Sequence, residues 1–544
     1  MTMTTTTSDD ANSTVPPLVL RYIYPVVIAG AGPCGLLTAL TLQRHKIPFV
    51  IYERATRDKV CSNVGSGFDL APTALSILID KLNLPVTNVI HSYAGMCFVD
   101  MKHGNIIREM GLSQMEVLLT SAGGDGGGIK GKGHATAVND GDGGVRLDFA
   151  SVNRADLQNT LLDALKNQEE VLKCGIQVTG YYEEETNAGV VIVKLGNGET
   201  VKASALLACD GIHSAVRKQM NHDKKKSGVS GGVAATEVDD KLQYCNVMCW
   251  WGKTKIQPGS DLEKSIQYYQ RLQKNKSTDY EEKGGGLSFV WMLGSRKYPG
   301  SFMGAPTTDT ASGGRYFTWA FFQKQPAAPP SLRKTKDDDD HDDDAVDLTI
   351  RGGTKLNDKT KQELEDIVKD RCDLLRLVMK ETPKSAITKV GLYDRGYKNN
   401  TITTKPYTSP GGLVALLGDA AHPQSPFMGQ GVNMAITDGY VAATLIAQAI
   451  RQEQSTTNHT STQQPNNNNS IGHVLKTHYD TNERRKGVNH VVKLARSYGD
   501  ICVSTNPITT WLFSKAAQYM PVQYFMDDMM KGDTTNADFV KSVQ

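Results

Sequence analysis

The sequence predicts an α/β fold with a sheet-rich second part and a helical C-terminal tail. Three observations carry that reading. A short apolar strand, a glycine-rich turn and a helix open the ordered part of the chain. The middle is enriched in aromatic and β-branched residues. A last apolar strand, Leu413 to Leu417, runs through small residues into a helix from about Gly431 to Ile450. With 544 residues the chain is long enough to bury a large core and to hold two interleaved or consecutive domains.

The opening elements are a strand over Tyr24 to Ala29, a helix over Gly35 to His45 and a second strand over Phe49 to Tyr52, a βαβ unit. An amphipathic helix follows over Ala155 to Lys166, then strands near Ile176 to Tyr182, Val190 to Lys194 and Ala205 to Ala208. Strands over Tyr244 to Trp251, Leu287 to Leu293 and Tyr316 to Gln323 make the middle a sheet. The expected division is a disordered tail over 1–20 and a first part of the nucleotide domain over 21–225, with a Gly-rich insert near 121–145. A substrate domain then spans 226–400, with an acidic insert near 326–345. The second part of the nucleotide domain spans 401–455, a polar linker 456–470 and a helical region 471–544. The inserts are too polar and too simple in composition to bury an apolar face, so they are read as surface segments.

Charge and cysteine usage narrow the class. Sixty basic residues face 58 acidic ones, a net charge of +2, so no nucleic-acid partner is expected. Nine cysteines without paired CxxC spacing argue for a reducing compartment, and Cys245 and Cys249 are read as buried thiols, not metal ligands. The Asp337 to Asp344 run lacks the glycine-punctuated spacing of a calcium loop, so no metal is expected. No window is apolar enough for a transmembrane segment, and the N-terminal stretch to Pro17 has no basic residue of a signal peptide. A cytoplasmic location is the default expectation.

The sharpest motif is Gly30-Ala31-Gly32-Pro33-Cys34-Gly35, directly after a strand and opening a helix. Gly30 permits the tight turn, Gly32 lets the backbone approach a pyrophosphate, and Gly35 lets helix and strand pack closely. The helix N-terminus then offers unpaired N–H groups to phosphate. Glu53 closes the second strand about twenty residues on, where a carboxylate accepts from ribose hydroxyls. This is a Rossmann-like dinucleotide site, and the motif alone does not separate NAD from FAD.

Two later segments do. Cys209-Asp210-Gly211-Ile212-His213-Ser214-Ala215-Val216-Arg217 follows a strand. Gly418-Asp419-Ala420-Ala421-His422-Pro423 continues through Pro426 and Gly429-Gln430-Gly431-Val432-Asn433 to Asp438. In order and spacing the three motifs resemble those of the single-component (group A) FAD-dependent aromatic hydroxylases. Salicylate hydroxylase, kynurenine monooxygenase, urate hydroxylase and zeaxanthin epoxidase belong to that family. The resemblance runs from about Pro25 to Ser497, outside the inserts.

It implies a Rossmann-like FAD-binding domain with a sheet-rich substrate domain. It further implies an enzyme that uses NAD(P)H as co-substrate and molecular oxygen to hydroxylate or epoxidise an aromatic or conjugated small molecule through a flavin C4a-hydroperoxide. Residue by residue, it implies that Asp419 binds the ribityl chain, that Val432 and Asn433 contact the flavin, that Arg154 reaches FAD, and that Arg54 lies near adenine or ribose. The physical readings stand beside these. Asp419 ends a strand, where open α/β sheets place ligand groups, or it caps its turn. Gly431 opens a helix whose N-terminal donors suit negative charge on a reduced flavin, and Asn433 is otherwise a helix N-terminal residue. Asp210 either touches FAD or accepts from local backbone amides.

His213 and His422 sit in turn motifs and are not assigned proton transfer, and no side chain is assigned as catalytic. Tyr393-Asp394-Arg395 is read as structural or pocket-lining. A related FAD-dependent dehydrogenase or reductase would share the motifs without incorporating oxygen. A non-catalytic flavin-binding protein would not oxidise NAD(P)H.

Overall fold

A computed structural model describes residues 24–60, 67–111, 149–183, 189–226, 242–274, 287–308, 313–326, 354–355, 358–395, 405–457, 470–520 and 522–543. The tail 1–20 and the Gly-rich insert lie outside the described residues, as do the acidic insert and the polar linker apart from their end residues.

Val26–Ala29 is fully buried and apolar at every position, the pattern of a parallel strand covered on both faces. It sits at the centre of a five-stranded parallel sheet. From edge to edge the strands are Val414–Leu416, Ala205–Ala208, Val26–Ala29, Phe49–Glu53 and Leu172–Cys174. The helix Pro33–Arg44 packs against the long helix Gly431–Thr457. The approach is close enough that a Cβ at Gly439 would lie 2.6 Å from Thr38 Oγ1.

A second sheet has ten strands. Along its path run Thr354–Lys355, Ile387–Asp394, Gln243–Lys255, Arg315–Lys324, Ser301–Thr308, Leu287–Leu293, Ile90–Asp100, Ala150–Asn153 and Gly67–Leu70, with Ile106–Gly111 paired to Ile90–Asp100. Period-two alternation sorts its residues. Phe317, Trp319 and Phe321 enter a core with Leu262 and Ile266 of one helix and Leu374, Leu375 and Val378 of another. Phe322 and Trp291 belong to a separate core with Phe427, Cys502 and Val503. The Trp319 indole N–H is satisfied by the hydroxyls of Thr254 and Thr382, at 3.0 and 3.2 Å.

Gly67–Leu70, Ile90–Asp100 and Ala150–Asn153 join this large sheet, whereas the sequence division at residue 226 groups them with the first domain. Local composition says that a segment is a strand; only long-range pairing says which sheet it joins. The C-terminal helices are likewise more than a tail. Asn482–Cys502 and Val522–Lys541 pack on each other, and Val488, Val491 and Val492 form a small core with Met434 of the long helix.

A buried ion pair fixes this docking. Arg484 donates to Asp438 Oδ1 at 2.8 Å, while His422 Nε2 and the Gly418 amide donate to Asp438 Oδ2 at 2.6 and 2.9 Å. Burial pushes the Asp438 carboxyl up, but the charges of His422 and Arg484 and the hydrogen bonds outweigh it and hold the pKa down at about 2. A depressed folded-state value stabilises the fold above the unfolded value of about 3.9. That stability is lost as pH falls toward about 2. Acid titration of the folding free energy should therefore show a loss of about 2 kcal/mol between pH 4 and 2 that Asp438→Ala lacks. At neutral pH, Arg484→Met leaves the carboxylate buried beside His422 without its guanidinium and should cost about 3–5 kcal/mol in urea unfolding.

Candidate active site

The strand Val26–Ala29 delivers the chain to Gly30, whose φ is +98° and whose ideal Cβ would lie 2.5 Å from the Cys209 carbonyl oxygen. A side chain is thus excluded twice, by conformation and by space. A Cβ at Gly35 would lie 2.0 Å from the Gly30 carbonyl oxygen, which is the close helix–strand contact. Gly32 differs from both. It is the N-cap of Pro33–Arg44, has extended backbone and no side-chain cap, and a Cβ there would meet nothing within 4 Å. The first turn therefore presents its amides over open space.

Glu53 supports this turn from below: Oε2 accepts from the Ala31 amide at 2.7 Å and Oε1 from the Ala55 amide at 2.8 Å. Its carboxylate holds the loop's shape, and each oxygen keeps a lone pair for a ribose hydroxyl. The half-buried Arg154 opens the helix Arg154–Asp163 behind the Asn153 cap. Burial lowers its pKa and the Glu53 carboxylate opposes that shift, which places the two charges near one another. From the same helix Gln158, not singled out in the sequence, donates to the Ala31 carbonyl. Arg54 is exposed.

The second and third motifs meet across the sheet. Arg217 donates to the carbonyls of Ala420, at 2.9 Å, and Ala421. Arg395 donates to the Ile212 carbonyl at 2.8 Å, and Asp394 pairs with Arg496 at 2.9 Å, so the Tyr393-Asp394-Arg395 segment works as a brace. Asp210 Oδ2 accepts from the Ala215 amide at 2.9 Å and caps the helix Ala215–Lys226. Burial raises its carboxyl pKa against the hydrogen bonds from Ser214 and local amides.

Asp419 lies in the short helical turn Gly418–Ala420 and is exposed while its neighbours are buried. Desolvation by the protein packed around it raises its pKa and His422 opposes. The open face of the carboxylate admits solvent and limits the size of that rise. Val432 is half-buried beside Gly431 at the start of the long helix. Asn433 is fully buried and committed to the protein: Oδ1 accepts from Ala71, and Nδ2 donates to the carbonyls of Asp69 and Gly429, all within 2.9 Å. It ties the strand Gly67–Leu70 to the turn before the helix, so flavin contact would come through that positioned backbone.

Among the described residues these features fit a bound FAD. An open N-cap at Gly32 faces the space a pyrophosphate needs. The buried Oδ1 of Asp210 and Oε1 of Gln158 take no hydrogen bond from the protein, and Asp419 presents an exposed carboxylate between the motifs. No cluster of three metal-ligating side chains occurs among the described residues.

Beside the Pro426–Met428 turn an open cleft is lined by Asp69, Gly95, Met96, Phe149, Phe289, Trp291, Met303 and the segment 426–429. Its walls are apolar and aromatic, and Asp69 is the ionisable group among these lining residues. The sequence gives no local signal for this cleft, because its walls come from four strands, Phe149 and the 426–429 turn, far apart in the chain.

In fold the chain is similar to solved FAD-dependent hydroxylases. In sequence the chain is similar to FAD-dependent monooxygenases. Residues 352–465 match the family described as FAD binding domain. FAD-dependent monooxygenase nanF of Aspergillus nanangensis is 23% identical over 424 residues, covering 77% of this chain and 72% of nanF. Chloroplastic zeaxanthin epoxidase of Spinacia oleracea is 25% identical over 298 residues, 55% of this chain and 32% of that protein. The structure of Klebsiella pneumoniae HpxO complexed with FAD and uric acid superposes with a TM-score of 0.61 at 18% identity, covering 95% of this chain and 98% of HpxO.

The two glycines should separate on substitution. At Gly32 an added Cβ meets nothing within 4 Å, so for Gly32→Val folding stability should change by less than about 0.5 kcal/mol while FAD retention after gel filtration is lost. Gly35→Ala drives a methyl into the Gly30 carbonyl and should destabilise the apoprotein itself by about 1–3 kcal/mol in thermal unfolding.

Proposed function

We propose that the protein is an FAD-dependent monooxygenase that uses NAD(P)H and molecular oxygen to hydroxylate or epoxidise an aromatic or conjugated, largely apolar small molecule. The observation that carries this reading is the aromatic-walled cleft beginning at the Pro426–Gly429 turn, one residue short of the helix N-terminus at Gly431. Bound FAD, reduced by NAD(P)H, supplies the activation of oxygen.

The chain's own residues perform the rest. The Gly30–Gly35 turn and Arg154 hold phosphate oxygens, and Asp419 and Asp210 offer acceptors to ribityl or ribose hydroxyls. Backbone donors at Gly431 and Val432 suit negative charge on the reduced ring. Phe289, Trp291 and Met303 take the substrate's ring system and exclude water, which limits loss of oxidising equivalents as hydrogen peroxide. A single glycine motif suits a nicotinamide donor that visits without a second Rossmann domain.

Labelled oxygen gas tests the assignment. One labelled atom should enter the product while NAD(P)H consumption accelerates with substrate. Label from water alone, or no incorporation at full FAD occupancy, overturns it in favour of a dehydrogenase. Failure of any substrate to stimulate NAD(P)H oxidation favours a flavin-binding protein without turnover.

The lining also sets a polarity. A carboxylate and no cation among the lining residues favours neutral or cationic substrates that donate a hydrogen bond, and disfavours carboxylate substrates. Asp69→Ala should raise KM for a donor-bearing substrate roughly five- to thirtyfold with flavin content unchanged. An unchanged KM would remove Asp69 from recognition.

A further inference from the structure

The helix Pro507–Tyr519 reverses the usual surface pattern. Ile508, Trp511, Leu512 and Tyr519 are 67%, 60%, 54% and 70% exposed, and none of its residues is buried. At 100° per residue these four and Lys515 fall within one arc of about 100°. The opposite arc holds Phe513, Ala517 and Met520, which pack against the core containing Phe427 and Trp291 of the cleft. The inward face already has its partner, so the outward apolar stripe serves something outside the described residues. Isolated exposed apolar residues need no explanation, but a contiguous stripe of this kind marks an interaction site.

We propose that this helix is an interfacial membrane-docking element, its Ile508–Tyr519 face lying in the plane of a lipid bilayer surface. The chemistry selects lipid over a protein partner. No residue between Pro507 and Tyr519 is acidic, and Lys515 is the only charge. Its ammonium lies 5.3 Å from the centroid of the Tyr519 ring, where a long stem can lie along apolar surface with its head toward phosphate. Trp and Tyr combine an apolar body with a polar tip, the composition favoured at the membrane–water boundary. Thirteen residues span about 20 Å, too short to cross a bilayer and suited to lying on it. The stripe offers on the order of 500 Å². That is short of the ~800 Å² per partner of a standard protein interface. Among the described residues no helix is long and apolar enough to cross a membrane, so docking would be peripheral. Docking here would set the bilayer one helix away from the aromatic cleft.

Flotation of the FAD-loaded full chain with phosphatidylcholine vesicles, with and without a minority of phosphatidylglycerol, tests this. The wild type should float with the vesicles. Trp511→Ser combined with Leu512→Ser should reduce the bound fraction at least about tenfold, with melting temperature and flavin content unchanged, and Trp511→Phe should retain binding. The proposal is overturned if the wild type stays in solution with both vesicle types or if the double variant floats undiminished. A lipid-free dimer that the double variant turns into monomer would also overturn it, because the stripe would then belong to a second copy. The readout is independent of turnover, so it stands or falls apart from the monooxygenase reading.

Discussion

One buried carboxylate organises the cofactor half of the molecule. Asp438 sits inside the long helix Gly431–Thr457, where an unpaired charge would be untenable, and three separate chain segments converge to satisfy it. The Gly418 amide brings the end of the last parallel strand, His422 brings the following turn, and Arg484 brings the C-terminal helix. Each donor is positioned by the same atoms it stabilises. The turn carrying Asp419 is thereby set at a fixed distance from the helix start at Gly431. Arg217, donating to Ala420 and Ala421, adds the strand end with Asp210 to the same frame. The three sequence motifs are held together by polar contacts behind them, with both oxygens of Asp438 hydrogen-bonded and Arg217 donating to two carbonyls.

The division of labour among the motif residues follows from that frame. Glu53 and Asn433 have the chemistry to meet a ligand, yet the structure uses their polar atoms to shape the backbone that would meet it. Asp419 and the Gly32 amide region are left open. A ligand held at these motifs would depend as much on residues that hold loops as on residues that face it.

The βαβ opening, the strand over Ala205–Ala208 and the helix from Gly431 were legible in the sequence because each carries a local signature: an apolar run, a turn glycine, a helix of small residues. The tight turn at Gly30 and the close packing at Gly35 were also legible, since each demand is met within six residues. What local patterning could not supply was partnership. Gly67–Leu70 and Ala150–Asn153 drew no strand reading from the sequence, and Arg484 is one arginine in the charged run Asn-Glu-Arg-Arg-Lys. The cleft is harder still, since Phe289, Trp291, Met303 and Asp69 share it only after non-neighbouring strands have paired. A Glu53 or Asn433 that binds backbone looks identical in sequence to one that binds ligand.

The strand order of the parallel sheet has a consequence for biogenesis. Val414–Leu416 pairs beside Ala205–Ala208, so the whole span that builds most of the large sheet intervenes between two adjacent strands of the small one. A chain emerging from the ribosome can form its βαβ unit early, but the third motif, and Arg484 behind it, emerge only after that intervening span. Until then the apolar edge of Ala205–Ala208 stands unpaired and the nucleotide turn has no opposing wall. The three motifs thus come together only once Val414–Leu416 has been made, and until then the nascent chain carries an open β-edge awaiting its partner strand.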